Sequence, residues 1–81
     1  MHEYDKNILH LIEILSTEKK IKSKTEFYSE IKIIRQTISK IKKGINHFTP
    51  SQIEIICKRY NVNANWIFGL EKNIFLHPKN Q

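Results

Sequence analysis

Only one cysteine, Cys57, stands among the 81 residues, so no disulfide can form within the chain. No stretch has the length and apolarity of a membrane span, and none resembles a secretory signal. A cytoplasmic location without a membrane partner is expected. The length leaves room for one domain with a modest core, and none for a sensor domain or a large active site. Reactive constellations are missing too. His2, His10, His47 and His77 share no metal-ligand spacing with Cys57 or an acid, and no serine or threonine has a base at a recognisable spacing. Neither an enzyme nor a metal, cofactor or small-molecule ligand is therefore expected. Cys57 has no neighbour to activate it and reads as a small core residue. Internal repeats and low-complexity segments are absent as well.

Acids are the other shortage. Lys and Arg number 14 against 8 Asp and Glu, a net charge of +6, and the pI near 9.6 favours an anionic partner. The imbalance is local. Between Lys19 and Lys43 lie nine basic residues and two acids, Glu26 and Glu30, whereas the rest of the chain holds five basic and six acidic residues. Positive charge gathered in one segment is the footprint of a protein that meets phosphates with one side.

That segment contains the stretch around which the chain is organised. Ser23 to Gly44, SKTEFYSEIKIIRQTISKIKKG, reads as two short helices joined by a tight turn. Its second helix, from about Ile34 to Lys43, has an apolar side of Ile34, Ile38 and Ile41 at the spacing that buries one face. The opposite side carries Gln36, Ser39, Lys40 and Lys43, with Arg35 and Lys42 on the flanks. This face offers cationic and amide donors and no acid. It suits the major groove of DNA, where Arg or Lys pairs with guanine edges and Gln with adenine edges. An ordinary amphipathic helix with a solvated charged face satisfies the same spacing.

From the start of the chain, Asp5 is expected to cap a helix with the buried stripe Ile8, Leu11, Ile12 and Leu15, and with His10 and Glu13 outward. Glu18 to Lys22 reads as a basic connector anchored by Ile21. Ser23 and Glu26 form a capping box for the next helix, which turns Phe27 and Ile31 inward. Its first-turn amides and Lys24 would offer a phosphate-binding corner. Lys32 and Ile33 make the turn, and Gly44 stops the following helix. After the loop Ile45, Asn46 and His47, helix four has Thr49 as cap, Pro50 at its first position and Gln52 closing the box. Phe48 can staple onto Ile53. Its buried face is Ile53, Ile56, Cys57 and Tyr60. Asn61-Val62-Asn63 forms a turn, and Asn63 caps a fifth helix, Ala64 to Phe68, that buries Trp66 and Ile67 and ends at Gly69. The apolar cluster Ile74, Phe75 and Leu76 either folds back over the core or meets a second copy. The last four or five residues are expected to be disordered.

The helix order and the spacing within Ser23 to Gly44 resemble the helix-turn-helix family of phage repressor and Cro proteins, from about Ile8 to Gly69. The resemblance rests on Phe27 at the family's helix-two leucine, Ile33 in the turn, and Thr37-Ile38-Ser39 with Ile41 inside the reading helix. It extends to Gly44 at the end of that helix and to Asn61-Val62-Asn63 through Trp66-Ile67 at the last one. It implies an all-α, five-helix, lambda-repressor-like helix-turn-helix domain over residues 1–69, followed by a short tail over residues 70–81. The implied activity is sequence-specific binding of double-stranded DNA by a small transcriptional regulator of the repressor type, reading the major groove with helix three as a homodimer. Matched to the family, base readout falls on Arg35, Gln36, Ser39 and Lys40. Phosphate contacts fall on Ser23, Lys24, Thr25, Lys43, Asn46 and His47. Four positions depart from the family pattern. Tyr28 stands where a small alanine is common, Ile34 where the reading helix usually has a polar cap, and Lys42 where glutamate is frequent. Lys32 replaces the turn glycine, where a side chain at positive φ costs about 1 kcal/mol. The alternative function is a protein-binding module such as an antitoxin, with or without DNA binding. Its mark would be a tail around Phe75 that orders only with a partner.

Overall fold

Apolar residues recur here at helical spacing between turns, and the described residues accordingly fold as five helices. The computed structural model describes residues 1–76 and is all-α. In order the helices are α1 (Glu3–Thr17), α2 (Lys24–Glu30), α3 (Arg35–Lys42), α4 (Pro50–Tyr60) and α5 (Ala64–Ile67). The expectation of disorder at the extreme C-terminus concerns residues 77–81, outside the described residues. No helix among the described residues is long and apolar enough to cross a membrane.

The core draws on every helix. Ile8, Leu11, Ile12 and Leu15 of α1 meet Phe27 of α2, Ile38 and Ile41 of α3, Ile53 and Ile56 of α4 and Ile67 of α5, with Ile21, Ile31, Ile33, Phe48 and Val62 filling in from the connectors. Each such side chain contributes about 1.5 to 3 kcal/mol when fully buried. Phe27 also stacks on Tyr60, 5.3 Å between ring centroids, and Asn7 Nδ2 donates to the carbonyls of Trp66 and Ile67 at 3.2 and 2.9 Å, tying α1 to α5.

Helix starts follow local chemistry, with two corrections. Thr49 and Gln52 exchange both bonds of a capping box, and Asn63 Oδ1 accepts from the Asn65 N–H. Ser23 Oγ accepts from the Glu26 N–H at 3.2 Å, but the Glu26 carboxylate reaches one residue further back and accepts from the Lys22 N–H at 2.7 Å. The second correction is Asp5, which is not the N-cap of α1: that position is held by His2, and Asp5 is the third helical residue, supplying the return bond of the cap. It lies inside the helix, wholly buried, because its carboxylate has partners far along the chain: the Phe48 N–H at 3.0 Å and His47 Nδ1 at 2.6 Å. It also accepts from the His2 N–H at 3.1 Å.

Four helices stop in the same way. After α1, α2, α3 and α5 the chain takes one residue into the left-handed region, at Lys19, Lys32, Gly44 and Gly69. The following N–H then reaches back to a carbonyl in the last turn, as from Ile33 to Tyr28 at 2.9 Å and from Ile45 to Lys40 at 2.8 Å. Lys32, at φ 60°, thus stands at the strained position expected of it, and Lys19 at φ 58° repeats the arrangement.

The tail folds back. Val62 and Phe75 form an antiparallel bridge, and the Leu76 N–H donates to the Asn61 carbonyl at 3.0 Å. Ile74 and Phe75 pack against the core while Leu76 stays exposed, and Lys20 Nζ sits 4.0 Å from the centre of the Phe75 ring. Asn63 is the anchor. Its Nδ2 donates to Glu71 Oε1 and to the Asn73 carbonyl, and its N–H donates to the Ile74 carbonyl. Three members of the expected buried faces are only half-buried: Cys57 and Tyr60 on α4 and Trp66 on α5 rest against the core rim. Phe68 falls just beyond α5 and is exposed.

Candidate functional site

Helix α3 divides cleanly into a buried seam and an open face. Ile38 and Ile41 are buried, whereas Arg35, Gln36, Ser39, Lys40, Lys42 and Lys43 are all exposed. Ile34 departs from the expected apolar side. The helix begins one residue later than the periodicity indicates, so Ile34 becomes the extended N-cap residue and its side chain is 63% exposed.

The open face consists of two stripes at helical spacing. Arg35, Ser39 and Lys42 turn toward α2 and line a shallow cleft of about 260 Å³ with Lys24, Tyr28 and Ile38. Gln36 borders a second cleft, of about 380 Å³, with Thr25, Tyr28, Ser29, Ile33, Ile34 and Arg35. Lys40 and Lys43 continue the Gln36 stripe. Tyr28 lines both clefts and is half-buried, with part of its ring packed against the core.

The two helices are also joined by polar contacts. Arg35 Nη2 donates to Thr25 Oγ1 at 2.9 Å, which holds the guanidinium over the start of α2. Lys24 meets Glu13 of α1 at 2.6 Å. That hydrogen bond, aided by charge attraction, lowers the Glu13 carboxyl below its ordinary value and raises the Lys24 ammonium. Both side chains are largely exposed, so the lysine can exchange the carboxylate for another anion. Ser23 spends its hydroxyl as an acceptor in the cap of α2. In the loop after α3, Asn46 is half-buried and His47 is exposed on one side. The His47 Nδ1 side faces Asp5, and its ring stacks on His2 at 4.0 Å.

The sequence-predicted residues thus fall into two groups. Ser23, Lys24, Thr25, Arg35, Gln36, Ser39, Lys40 and Lys43 belong to α2, α3 and their caps, and the two clefts join these helices along Lys24, Thr25, Arg35, Gln36 and Ser39. Asn46 and His47 follow on the loop beyond α3, with His47 tied to the start of α1 through Asp5. Sequence reasoning did not assign site roles to Tyr28, Ile34 and Lys42, which line the same clefts. The signal for Lys42 was its place seven residues after Arg35. For Tyr28 and Ile34 it was their bulk and apolarity where small or polar side chains are usual.

Among the described residues, fold and site define an all-α helix-turn-helix arrangement with a cationic, amide-bearing face on its second helix. A scan against protein-family models, a search of curated proteins and a search of solved structures each found no match.

Proposed function

We propose that the chain binds double-stranded DNA in a sequence-specific manner and acts as a small transcriptional regulator of the repressor type, with α3 in the major groove. One observation carries this reading: Arg35, Gln36, Ser39, Lys40 and Lys43 are exposed together on one side of a short helix whose other side, Ile38 and Ile41, is buried. The concentration of nine basic residues between Lys19 and Lys43 supports it, as does the resemblance to the phage repressor and Cro family.

The mechanism has two parts. Lys24, Lys40 and Lys43 displace counterions from the phosphates, with Lys24 leaving Glu13 to do so, and they hold the protein in register without reading sequence. Thr25, Ser23, Asn46 and His47 add polar contacts to the backbone. Arg35 and Gln36 then read base edges, each good pair giving about 1 to 3 kcal/mol of discrimination, with Ser39 and Lys40 beside them. The bond from Arg35 to Thr25 preorganises the guanidinium. A domain this small reads few base pairs, so two copies bind half-sites about one helical turn apart. The exposed Phe68, which lines an apolar cleft with Tyr4, Phe48, Pro50 and Ile53, and the exposed Leu70 two residues on provide surface for such a homodimer. Bound across a promoter, the dimer blocks transcription.

The protein-binding alternative calls for a tail that orders only with a partner. Ile74 and Phe75 rest on the chain's own core, which weighs against it. Selection of bound duplexes from random DNA tests the proposal. A palindromic motif is expected, and a pool that stays random after several rounds would refute it.

A further inference from the structure

We propose that Ile34 is a specificity residue that selects thymine through its 5-methyl group at the step next to the base read by Gln36, an inference that rests on the DNA-binding reading above. The starting point is an anomaly of placement. Ile34 occupies the N-cap of α3 in extended backbone, φ −98° and ψ 160°, and makes no capping bond. Ser, Thr, Asp or Asn is favoured there because the side chain can accept an orphan N–H of the first turn. The chain follows that rule at Ser23, Thr49 and Asn63, each of which accepts such a bond. Only at α3, where the open cationic face begins, is a polar cap replaced by a β-branched hydrocarbon. The N-cap of α1, His2, is also outside the favoured set but is polar, so α3 is the one described helix whose N-cap is a hydrocarbon, and a local rule set aside in this way is expected of a functional position.

The side chain is not recruited to the core instead. Ile33 before it is 6% exposed and Ile38 after it 4%, whereas Ile34 is 63% exposed. Tyr28 and Ile33 share its cleft, but Lys32, Arg35 and Gln36 around it are exposed and polar, which suits the mixed chemistry of a DNA groove better than an apolar protein partner. It stands on the rim of the cleft shared by Thr25, Tyr28, Ser29 and Gln36, where a helix that enters a groove by its N-terminal end presents its first residues.

The chemistry of the groove then names the contact. Of the groups that base pairs display in the major groove, the thymine 5-methyl is the one apolar group, and the rest are hydrogen-bond donors or acceptors. An isoleucine set against an amine or carbonyl edge would strip it of water without replacing the bond, which disfavours cytosine, adenine and guanine there. Against thymine it gains contact with the methyl group and can leave the neighbouring O4 acceptor to water. Gln36, two residues on, carries the amide that pairs with adenine, so the two side chains together specify a short A·T-rich element.

The test compares the wild-type protein with the Ile34→Ser variant, which restores a capping hydroxyl and should melt no lower by circular dichroism. Both are used to select duplexes from random DNA, and each thymine of the wild-type motif is then replaced by deoxyuridine, which lacks only the methyl group. One replacement per half-site removes two methyl groups from the dimer's site and should weaken wild-type binding by about fifteenfold, about fourfold for each buried methyl group, and should leave the variant's affinity unchanged. The variant's own motif should lose its preference at that position and keep the others. A wild-type motif whose affinity ignores every deoxyuridine, or a variant that loses as much as wild type, would overturn the role of Ile34 and leave DNA binding standing. Failure of the wild-type protein to enrich any motif would overturn both.

Discussion

Removing the Asp5 carboxylate is the perturbation whose cost can be worked most fully from the structure. Asp5 is wholly buried and accepts three hydrogen bonds, from the Phe48 N–H, His47 Nδ1 and the His2 N–H. In Asp5→Ala the Phe48 N–H is left buried without a partner, at about 1 to 3 kcal/mol. The bond to His47 joins a carboxylate to a ring that is 38% exposed, so water recovers part of the about 1.5 to 3 kcal/mol that such bonds contribute. The His2 N–H lies at the open end of α1 and can turn to water. Together these give a loss of about 3 kcal/mol, against a total of roughly 4 to 12 kcal/mol for a domain of 81 residues. At about 4 to 8 °C per kcal/mol, the melting temperature should fall by roughly 12 to 24 °C. Asp5→Asn keeps the size of the side chain and an oxygen for Phe48, and should lose about half as much. Thermal and urea unfolding followed by circular dichroism measure both. An Asp5→Ala protein within about 1 kcal/mol of wild type would show that the junction between α1 and the loop after α3 does not depend on this carboxylate.

Three further outcomes are expected. Glu13→Gln releases Lys24 from its ion pair, so binding to random duplexes should tighten at low salt with a steeper salt dependence, and Lys24→Ala should lower that slope by about one; fluorescence anisotropy across a salt series reads both, and an unchanged slope would argue against Lys24 as a phosphate contact. Lys32→Gly relieves a side chain held at φ 60° and should stabilise the fold by about 1 kcal/mol in urea titrations, where a loss would show that the lysine side chain makes a compensating contact. Asn63→Ala removes the cap of α5 and the donors to Glu71 and Asn73, so it should cost about 2 kcal/mol and speed hydrogen exchange at the Leu76 amide, and an equally protected amide would mean that the bridge of Val62 and Phe75 holds the tail alone.

What could be read from the sequence depended on the range of the interactions involved. Thr49, Pro50 and Gln52 define a helix start within four residues, and Ser23 and Asn63 cap their helices as their types demand. The left-handed Lys32 was legible only through the resemblance, because it stands where the phage repressor and Cro family has its turn glycine. The open face of α3 followed from spacing alone, since Ile38 and Ile41 fix which side is buried. Asp5 was misplaced because it has the right type and position for a cap, while its role is set by His47 and Phe48, 42 and 43 residues away. Ile34 was misplaced for a different reason. Periodicity gives the angle of a side chain around a helix axis and is silent on whether the helix has begun, and here it begins at Arg35. The pairing of Lys24 with Glu13 and the seating of Phe75 against Val62 are products of the tertiary fold, and no local pattern marks them.

The outer face of α3 is proposed to read bases. The most direct measurement of that role is the affinity of wild type, Arg35→Ala and Gln36→Ala for a selected duplex and for random duplexes at several salt concentrations. Each substitution should weaken binding to the selected duplex by about 1 to 3 kcal/mol, and Gln36→Ala should leave random binding nearly unchanged, so that the specificity ratio collapses. Equal losses on both kinds of duplex for both variants, with the specificity ratio preserved, would contradict it.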